Sequence, residues 1–383
     1  MIIMELLFIF SLATAVFVGI NIGGSSTGVA FGPSVGSKLL SKPGAAALMS
    51  FFVFLGGWTV GRNVIDTMGG KIVPASQFSL TASAVILFFI GGSLLISNLS
   101  GVPASTSMTA VGAIAGLGLA SGTLNWEMMG RIMSWWLVAP AVAFLAGGVI
   151  GRYLYVHMDE FFHIDQSKGS LLKYRGRIPV GRGRNTSYRE LVSSVLVVAI
   201  ACYMCFSAGA SNVANAVAPL VGSGGGGIIQ MNTGILLAVA AISVGSFSIA
   251  RKTLDTVGDG ITDLPLLASL VVSTVSASII SVLSFLGIPA SLAISATMCI
   301  TGLGWGRASR TVKVRDTLQG KKPEMKTAAL KSKETNQIGE EEEENLPDDR
   351  LFKPEMIGHV VTLWILTPTI SAAASYAVFA ILF

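Results

Sequence analysis

Residues 209–216 read Gly-Ala-Ser-Asn-Val-Ala-Asn-Ala, and residues 23–30, which lie 186 positions upstream, read Gly-Gly-Ser-Ser-Thr-Gly-Val-Ala. Each stretch follows an apolar run of membrane length. Glycine-rich backbone with hydroxyl and amide side chains is unfavourable in lipid unless it lines a polar cavity. Two related copies therefore indicate a transporter built from two related halves, with its substrate site where the copies meet.

The composition is that of a polytopic membrane protein. Hydrophobic residues make up 52% of the 383 residues and charged residues only 12%, and the mean hydropathy is +0.69. Soluble domains are typically about one quarter charged. The net charge of +5 does not indicate nucleic-acid binding, because the basic residues lie between apolar runs, where positive charge marks cytoplasmic loops.

Eight apolar segments have the length of about 20 residues that a bilayer requires. They lie near 2–21, 43–61, 78–97, 132–155, 190–208, 228–249, 264–286 and 357–382. Four shorter segments rich in small residues lie near 25–40, 103–120, 210–222 and 289–304. We interpret these four as broken or re-entrant half-helices at the membrane midplane, where transporters place them around the substrate.

Further elements recur in the same order, which indicates duplication of one fold. The pattern Gly-x-Pro-x-Ser at 101–105 recurs at 287–291, again 186 positions later. We therefore predict an all-α polytopic membrane protein of two inverted repeats, each with about five transmembrane helices. The first repeat would occupy 1–155 and the second 190–383, joined by a basic linker at 156–189.

The hydrophilic segments predict the orientation in the cell membrane. The linker at 156–189 and the start of a second charged loop, at 305–354, are both rich in Lys and Arg. Positive charge favours the cytoplasmic side, so we place both segments there. An odd number of spans in each repeat then inverts the second repeat and leaves both termini outside.

The sequence offers nothing that a membrane enzyme would need. It has no grouping of nucleophile, base and orienting residue, no metal-ligand spacing and no nucleotide-binding Lys-Ser/Thr after its glycine-rich run. Its three cysteines lie in apolar stretches without nearby histidine or carboxylate. We expect neither catalysis nor a bound metal or cofactor, with the lipid bilayer and a transported solute as partners and no nucleic acid. The chain is also compatible with a homodimer.

Residues 209–216 resemble the duplicated signature of the inorganic phosphate transporter (PiT) family, whose usual form is Gly-Ala-Asn-Asp-Val-Ala-Asn-Ala. The resemblance covers nearly the whole chain, including both signatures and the paired Gly-x-Pro-x-Ser elements. It implies an inverted-repeat secondary transporter for inorganic phosphate, commonly coupled to sodium ions or protons. The family also includes bacterial sulfate permeases, so sulfate uptake is the alternative, and an anion channel would need a continuous pore without coupling.

The expected binding residues are hydroxyl and amide side chains. A tetrahedral oxyanion needs donors to replace its water, and helix N-termini add backbone N–H groups and a favourable dipole. The candidates are Ser25, Ser26, Thr27, Ser105, Thr106, Ser107, Ser211, Asn212, Asn215, Ser291 and Ser295.

Both signature carboxylates of the family are absent here. Ser26 and Asn212 stand where the usual form has Asp. Carboxylates are natural ligands for hard cations, so a sodium ion would have to bind through carbonyl and hydroxyl oxygens. Fewer negative charges also favour an anion, and a depleted signature is similar to that of the sulfate permeases. Coupling to Na⁺ or H⁺ and the choice between phosphate and sulfate both stay open at this point.

Six charged residues are candidates for gating or coupling because they recur in both halves. Arg62 and Asp66 are one helical turn apart and can pair, and the same spacing recurs downstream. Glu127 recurs too, at the start of a span, where a carboxylate also stabilises a helix N-terminus. The six candidates are Arg62, Asp66, Arg251, Asp255, Glu127 and Glu355.

Overall fold

The computed structural model describes residues 2–36, 40–99, 105–162, 172–175, 178–182, 188–222, 228–248, 265–311 and 354–382. Nearly all of this backbone is helical. The first half contains α1 (Ile2–Gly36), α2 (Lys42–Trp58), α3 (Gly61–Asp66), α4 (Leu80–Leu99), α5 (Thr106–Ala120), α6 (Trp126–Val149) and α7 (Tyr155–Phe162). The second half contains α8 (Tyr188–Val221), α9 (Met231–Ser248), α10 (Leu266–Phe285), α11 (Leu292–Ala308) and α12 (Pro354–Leu382).

The helices confirm a multi-pass, all-α membrane protein. Seven helices in the described residues are long and apolar enough to cross a membrane, and α2 with α3 makes an eighth span that is bent by 59°. Each predicted span coincides with one of these helices. The shorter helices α5 and α11 complete five elements in each half. Helices suit this role because their backbone N–H and C=O groups are satisfied within the helix, away from water.

Short polar residues start several helices. Ser41 caps α2 by accepting a hydrogen bond from the Gly44 amide, and Asn125 caps α6 by accepting one from the Met128 amide. Such caps satisfy backbone donors that have no partner within the helix. The bent span α2–α3 is the broken helix of the first half, and a π-helical turn at Thr67–Lys71 follows it.

Two of the four predicted half-helices are not separate segments. Residues 25–36 continue α1, and residues 210–221 continue α8, without a break. The glycines there allow close helix packing instead of loosening the backbone. A Cβ atom added at Gly209 would overlap the backbone of Val53 in α2, and one added at Gly23 would overlap the backbone of Ile242 in α9. The other two predictions, around α5 and α11, are confirmed as short helices.

The contacts between helices come in related pairs. Helix α1 packs on α9 as α8 packs on α2, and α5 packs on α12 as α11 packs on α6. The close glycine contacts follow the same correspondence, because Gly23 and Gly209 are 186 positions apart, and Val53 and Ile242 occupy matching places in their helices. The predicted duplication therefore has a counterpart in packing. The inversion of the second half stays a prediction.

The hydrophilic connections are shorter than predicted. Helix α7 extends to Phe162, and the linker also holds a two-stranded antiparallel hairpin of β1 (Leu172–Arg175) and β2 (Ile178–Arg182). The loop predicted from 305 begins later, because α11 continues to Ala308 and a 3-10 turn follows it. Arg307 and Arg310, which we assigned to that loop, are buried. They therefore pack inside the protein and carry no information about orientation.

Candidate substrate-binding site

Helices α5 and α11 begin with the same local structure. Ser105 caps α5, its Oγ accepting a hydrogen bond from the Met108 amide at 3.3 Å. Ser291 caps α11 by accepting one from the Ile294 amide, also at 3.3 Å. Both serines are buried. The two Gly-x-Pro-x-Ser elements thus place a serine at the start of a short helix, where the dipole favours an anion.

Side chains at the start of α5 meet the second signature on α8. Thr106 Oγ1 donates to Asn212 Oδ1 at 2.7 Å, and the hydroxyls of Ser107 and Ser211 lie 3.2 Å apart. Asn215 Nδ2 donates to Ser107 Oγ at 3.4 Å and to Asn212 Oδ1 at 3.2 Å. These five side chains, which we call the α5–α8 cluster, form one hydrogen-bonded network between the two halves of the chain.

The α5–α8 cluster reaches the second short helix through one backbone carbonyl. Ser211 Oγ donates to the Ala290 carbonyl, next to the Ser291 cap, at 2.9 Å. Asn215 and Ser107 are fully buried and Asn212 is 8% exposed. Polar groups buried in this way are normally held by such bonds, because an unpaired donor or acceptor is unfavourable away from water. The cluster therefore ties α5, α8 and the start of α11 together.

A small cavity adjoins the α11 side of this region. Its volume is about 10 Å³, roughly the room that one water molecule needs. It is lined by Met108, Trp135, Trp136, Ala139, Pro140, Ala290, Ser291, Ile294 and Ser295. Trp136 Nε1 donates to the Pro289 carbonyl at 2.9 Å, so α6 holds the segment before α11 in place.

The structure brings together most of the predicted binding residues. Eight of the eleven lie at the start of α5, on α8 or at the start of α11. Ser295 is buried on α11 and lines the small cavity. The remaining three, Ser25, Ser26 and Thr27, have helical backbone within α1, and their side chains lie outside the described residues.

The charged candidates lie elsewhere. Arg62 does not use its possible pairing with Asp66: Arg62 Nε donates to the Trp58 carbonyl at 2.6 Å and Nη2 donates to Asn232 Oδ1 at 2.7 Å. Asp66 is exposed. The competing bonds hold the guanidinium over the Trp58 ring, 4.7 Å from its centroid. Arg62 thus connects the bent span to the start of α9.

Glu127 is exposed in the first turn of α6. This position matches a carboxylate that stabilises a helix N-terminus. Glu355 occupies the first turn of α12, with its side chain outside the described part of the chain. Arg251 and Asp255 both lie outside the described residues.

Sequence reasoning missed several polar contacts. Asn98 Nδ2 in α4 donates to Asn21 Oδ1 in α1 at 3.1 Å, and neither residue is among the candidates. The Ala290 carbonyl was also missed, because backbone acceptors leave no trace in residue type. The Trp136 contact was missed as well. The tryptophan repeats at Trp364, but Trp364 Nε1 has no acceptor among the described residues, so the repeat alone does not predict the bond.

The electrostatics of the α5–α8 cluster are those of neutral dipoles. Its members are hydroxyl and amide side chains, and no carboxylate belongs to the network that we describe. No group of three or more His, Cys, Asp or Glu side chains in the described ranges could hold a metal ion. The hydroxyl and amide donors of this arrangement bond to oxygens of the cluster and to the Ala290 carbonyl. A bound oxyanion would have to take the place of some of these acceptors.

Comparison with known proteins agrees with the resemblance seen in the sequence. A model of the phosphate transporter family matches residues 22–375. The chain is 30% identical to the sulfate permease CysP of Bacillus subtilis, over 80% of this chain and 79% of that protein. It is 26% identical to a predicted phosphate permease of Chlamydia pneumoniae, over 80% of this chain and 91% of that protein.

The fold agrees as well. A solved structure described as the sodium-dependent phosphate transporter matches with a TM-score of 0.69 over 98% of each chain, at 20% identity. At this identity the match establishes the fold and nothing further. Since the family model covers most of the sequence, this chain belongs to the phosphate transporter family.

Proposed function

We propose that this protein is a secondary permease that takes up inorganic phosphate across the cell membrane. The observation that carries the proposal is the α5–α8 cluster, in which two signature amides and three hydroxyls meet at a capped helix start. A tetrahedral anion leaving water needs such donors, and a helix N-terminus adds a favourable dipole. Membership of the phosphate transporter family supports the same substrate class.

The binding site would extend from this cluster to the start of α11. Ser105 caps α5 directly before Thr106 of the cluster, and Ser291 and Ser295 line the small cavity beside it. The residues at 25–27 would approach from α1, since the first signature corresponds to the second. Donors from both halves would then surround one ion, as expected for a site between two repeats.

Sulfate is the second candidate substrate. The cluster contains no carboxylate that would repel a dianion, and the chain is 30% identical to a sulfate permease. Phosphate and sulfate are both tetrahedral and similar in size, so helix starts and hydroxyls serve either anion. The discriminating chemistry is the proton that phosphate carries at neutral pH and sulfate does not.

We further propose that uptake is coupled to Na⁺ or H⁺. A sodium-dependent relative of the same fold supports sodium as the coupling ion. The cluster would supply neutral ligands only, from amide, hydroxyl and carbonyl oxygens, which are acceptable to a hard cation. Arg62, Asp66 and Glu127 lie at helix ends and would act in gating or coupling away from the cluster.

Transport would require the two repeats, 1–155 and 190–383, to move relative to one another. The cavity beside Ser291 holds about 10 Å³, far less than a tetrahedral oxyanion needs. Parting α6 from α11 would open it, and rocking of one repeat would expose it alternately to each side.

The linker at 156–189 would face the cytoplasm, and a cysteine placed at Lys173 should resist impermeant reagents added to intact cells.

The function is tested by radiolabelled uptake into proteoliposomes that contain the purified full-length chain. We expect phosphate to accumulate above its own electrochemical gradient when a Na⁺ or H⁺ gradient is imposed. Accumulation of sulfate without phosphate would show that sulfate, and not phosphate, is the substrate. Uptake that only follows the gradient of the anion would indicate a channel, and uptake of neither anion would contradict the permease.

A further inference from the structure

The amide of Asn215 occupies the end of a hydrogen-bond chain that starts at a backbone carbonyl. The Ala290 carbonyl can only accept, so Ser211 Oγ donates its single proton to it. In the contact between Ser107 and Ser211, the proton must then come from Ser107. Ser107 Oγ in turn accepts from Asn215, so the atom of Asn215 that faces it is Nδ2.

The second proton of the Asn215 amide is used as well. Asn215 Nδ2 also donates to Asn212 Oδ1, which accepts in addition from Thr106 Oγ1. The orientation of the amide is therefore fixed by its neighbours at both of its N–H groups. Its carbonyl oxygen, Oδ1, must point away from Ser107 and Asn212.

Asn215 Oδ1 is buried, and no donor in the described part of the chain reaches it. The side chain is 0% exposed. A buried acceptor without a donor is unfavourable, so a ligand that brings a proton to this atom gains binding free energy. A ligand of the same shape whose oxygens carry no proton would bind less favourably, because its lone pairs and those of Oδ1 repel each other.

We propose that Asn215 Oδ1 accepts a hydrogen bond from the P–OH group of phosphate. Through this bond Asn215 makes the permease prefer phosphate to sulfate. The assignment rests on the proposed function, that is, on binding of an oxyanion at the α5–α8 cluster. A carboxylate would select a protonated anion too, but it would repel the charge of the substrate. The amide oxygen provides the acceptor without the charge, in a signature where Ser211 and Asn212 replace the family's Asn and Asp.

The first experiment uses the wild-type protein and four competitors of labelled phosphate uptake. Phosphate and arsenate carry an acidic O–H at neutral pH, whereas sulfate and monofluorophosphate are tetrahedral dianions without one. Monofluorophosphate keeps the phosphorus centre and its size, which separates the effect of the proton from that of the element. We expect arsenate to compete like phosphate, and sulfate and monofluorophosphate to compete at least about tenfold more weakly.

The second experiment measures phosphate and sulfate uptake by Asn215→Ala. Removal of the acceptor should reduce the ratio of phosphate to sulfate uptake by about tenfold, towards one. The substitution also removes the N–H bonds to Ser107 and Asn212. Their loss should weaken the binding of both anions alike and so cancel in the ratio. Ser207→Ala is the matched control, because Ser207 is a buried residue of the same helix that donates to the Ala277 carbonyl, outside the cluster. Its ratio should equal that of the wild type.

Each outcome decides between the interpretations. If the wild type takes up neither anion, the proposed function fails. If it takes up both equally, or if monofluorophosphate competes as well as phosphate, the permease stands and the role of Asn215 is wrong. If Asn215→Ala changes the sodium dependence with an unchanged ratio, Oδ1 is a cation ligand and the assignment is wrong. Should the variant fail to fold, the competitor series alone decides.

Discussion

The starts of α5 and α11 occupy equivalent places in the two halves, and a buried serine caps each of them, but their side chains do different things. Thr106 and Ser107 follow the cap of α5 and bond to the signature on α8. Leu292 and Ala293 follow the cap of α11 and offer no hydroxyl. The two halves therefore share the same capped backbone at these helix starts, but the hydroxyl donors after the cap are present on α5 and replaced by apolar side chains on α11.

The two signatures show the same asymmetry. The copy on α8 keeps amides at Asn212 and Asn215, whereas the copy on α1 has Ser26 and Val29 at the corresponding positions. Helix α5 of the first half meets α8 of the second, so the hydroxyls of α5 and the amides of α8 lie together in the α5–α8 cluster. A single oxyanion would therefore be held mainly by one half-site, with the depleted half-site completing the enclosure.

The largest effect should come from Asn215→Leu. This substitution removes both N–H donors and the buried acceptor, and leaves Ser107 and Asn212 each without one partner. We expect at least a hundredfold loss of oxyanion uptake in proteoliposomes, with folded protein retained in size-exclusion chromatography. Val29→Ala changes the corresponding position of the first signature and should leave uptake within about twofold. Equal losses in both variants would contradict the asymmetry.

The fold was largely predictable because membrane spans follow from length and hydropathy alone. All eight predicted spans coincide with helices, and the short helices α5 and α11 follow from the paired Gly-x-Pro-x-Ser elements. The continuity of α1 and α8 was not predictable in the same way. Glycine weakens a helix in isolation, and its role at Gly209 depends on the backbone of Val53, which is distant in sequence.

The residues of the candidate site could be predicted from the sequence, but the hydrogen bonds between them could not. Hydroxyls at a predicted helix start identified Thr106 and Ser107 as candidates, and the signature at 209–216 identified Asn215. Which of them face each other depends on how α5 lies against α8, which no local pattern specifies. Arg62 does not use its possible pairing with Asp66 for the same reason, because Asn232, on another helix, provides a better placed acceptor.

An intermediate effect should follow from Thr106→Val. The substitution keeps the shape of the side chain and removes the donor to Asn212 Oδ1. Loss of one buried hydrogen bond of this kind should reduce oxyanion uptake by about three- to tenfold. Thr297→Val on α11 is the matched change, because the Thr297 hydroxyl donates to the Ala293 carbonyl of its own helix and, among the described residues, to no other group. We expect less than a twofold effect there, and a larger loss in Thr297→Val would show that the α11 side contributes donors after all.

The smallest effect should distinguish two tryptophans that occupy corresponding positions. Trp136 Nε1 donates to the Pro289 carbonyl before α11, whereas Trp364 Nε1 is buried and has no acceptor among the described residues. Trp136→Phe should therefore lower the free energy of unfolding by about 1 kcal/mol, and Trp364→Phe should leave it unchanged or raise it slightly, since an unpaired donor is removed. The midpoints of thermal unfolding of the purified variants in one detergent give this comparison. If the two substitutions lower the midpoint equally, the asymmetry between the halves is confined to the hydroxyl and amide donors. If only Trp136→Phe lowers the midpoint, the asymmetry also includes the contacts between each helix start and its neighbouring span. The bond from α6 then stabilises the start of α11, and the start of α5 has no equivalent bond from Trp364.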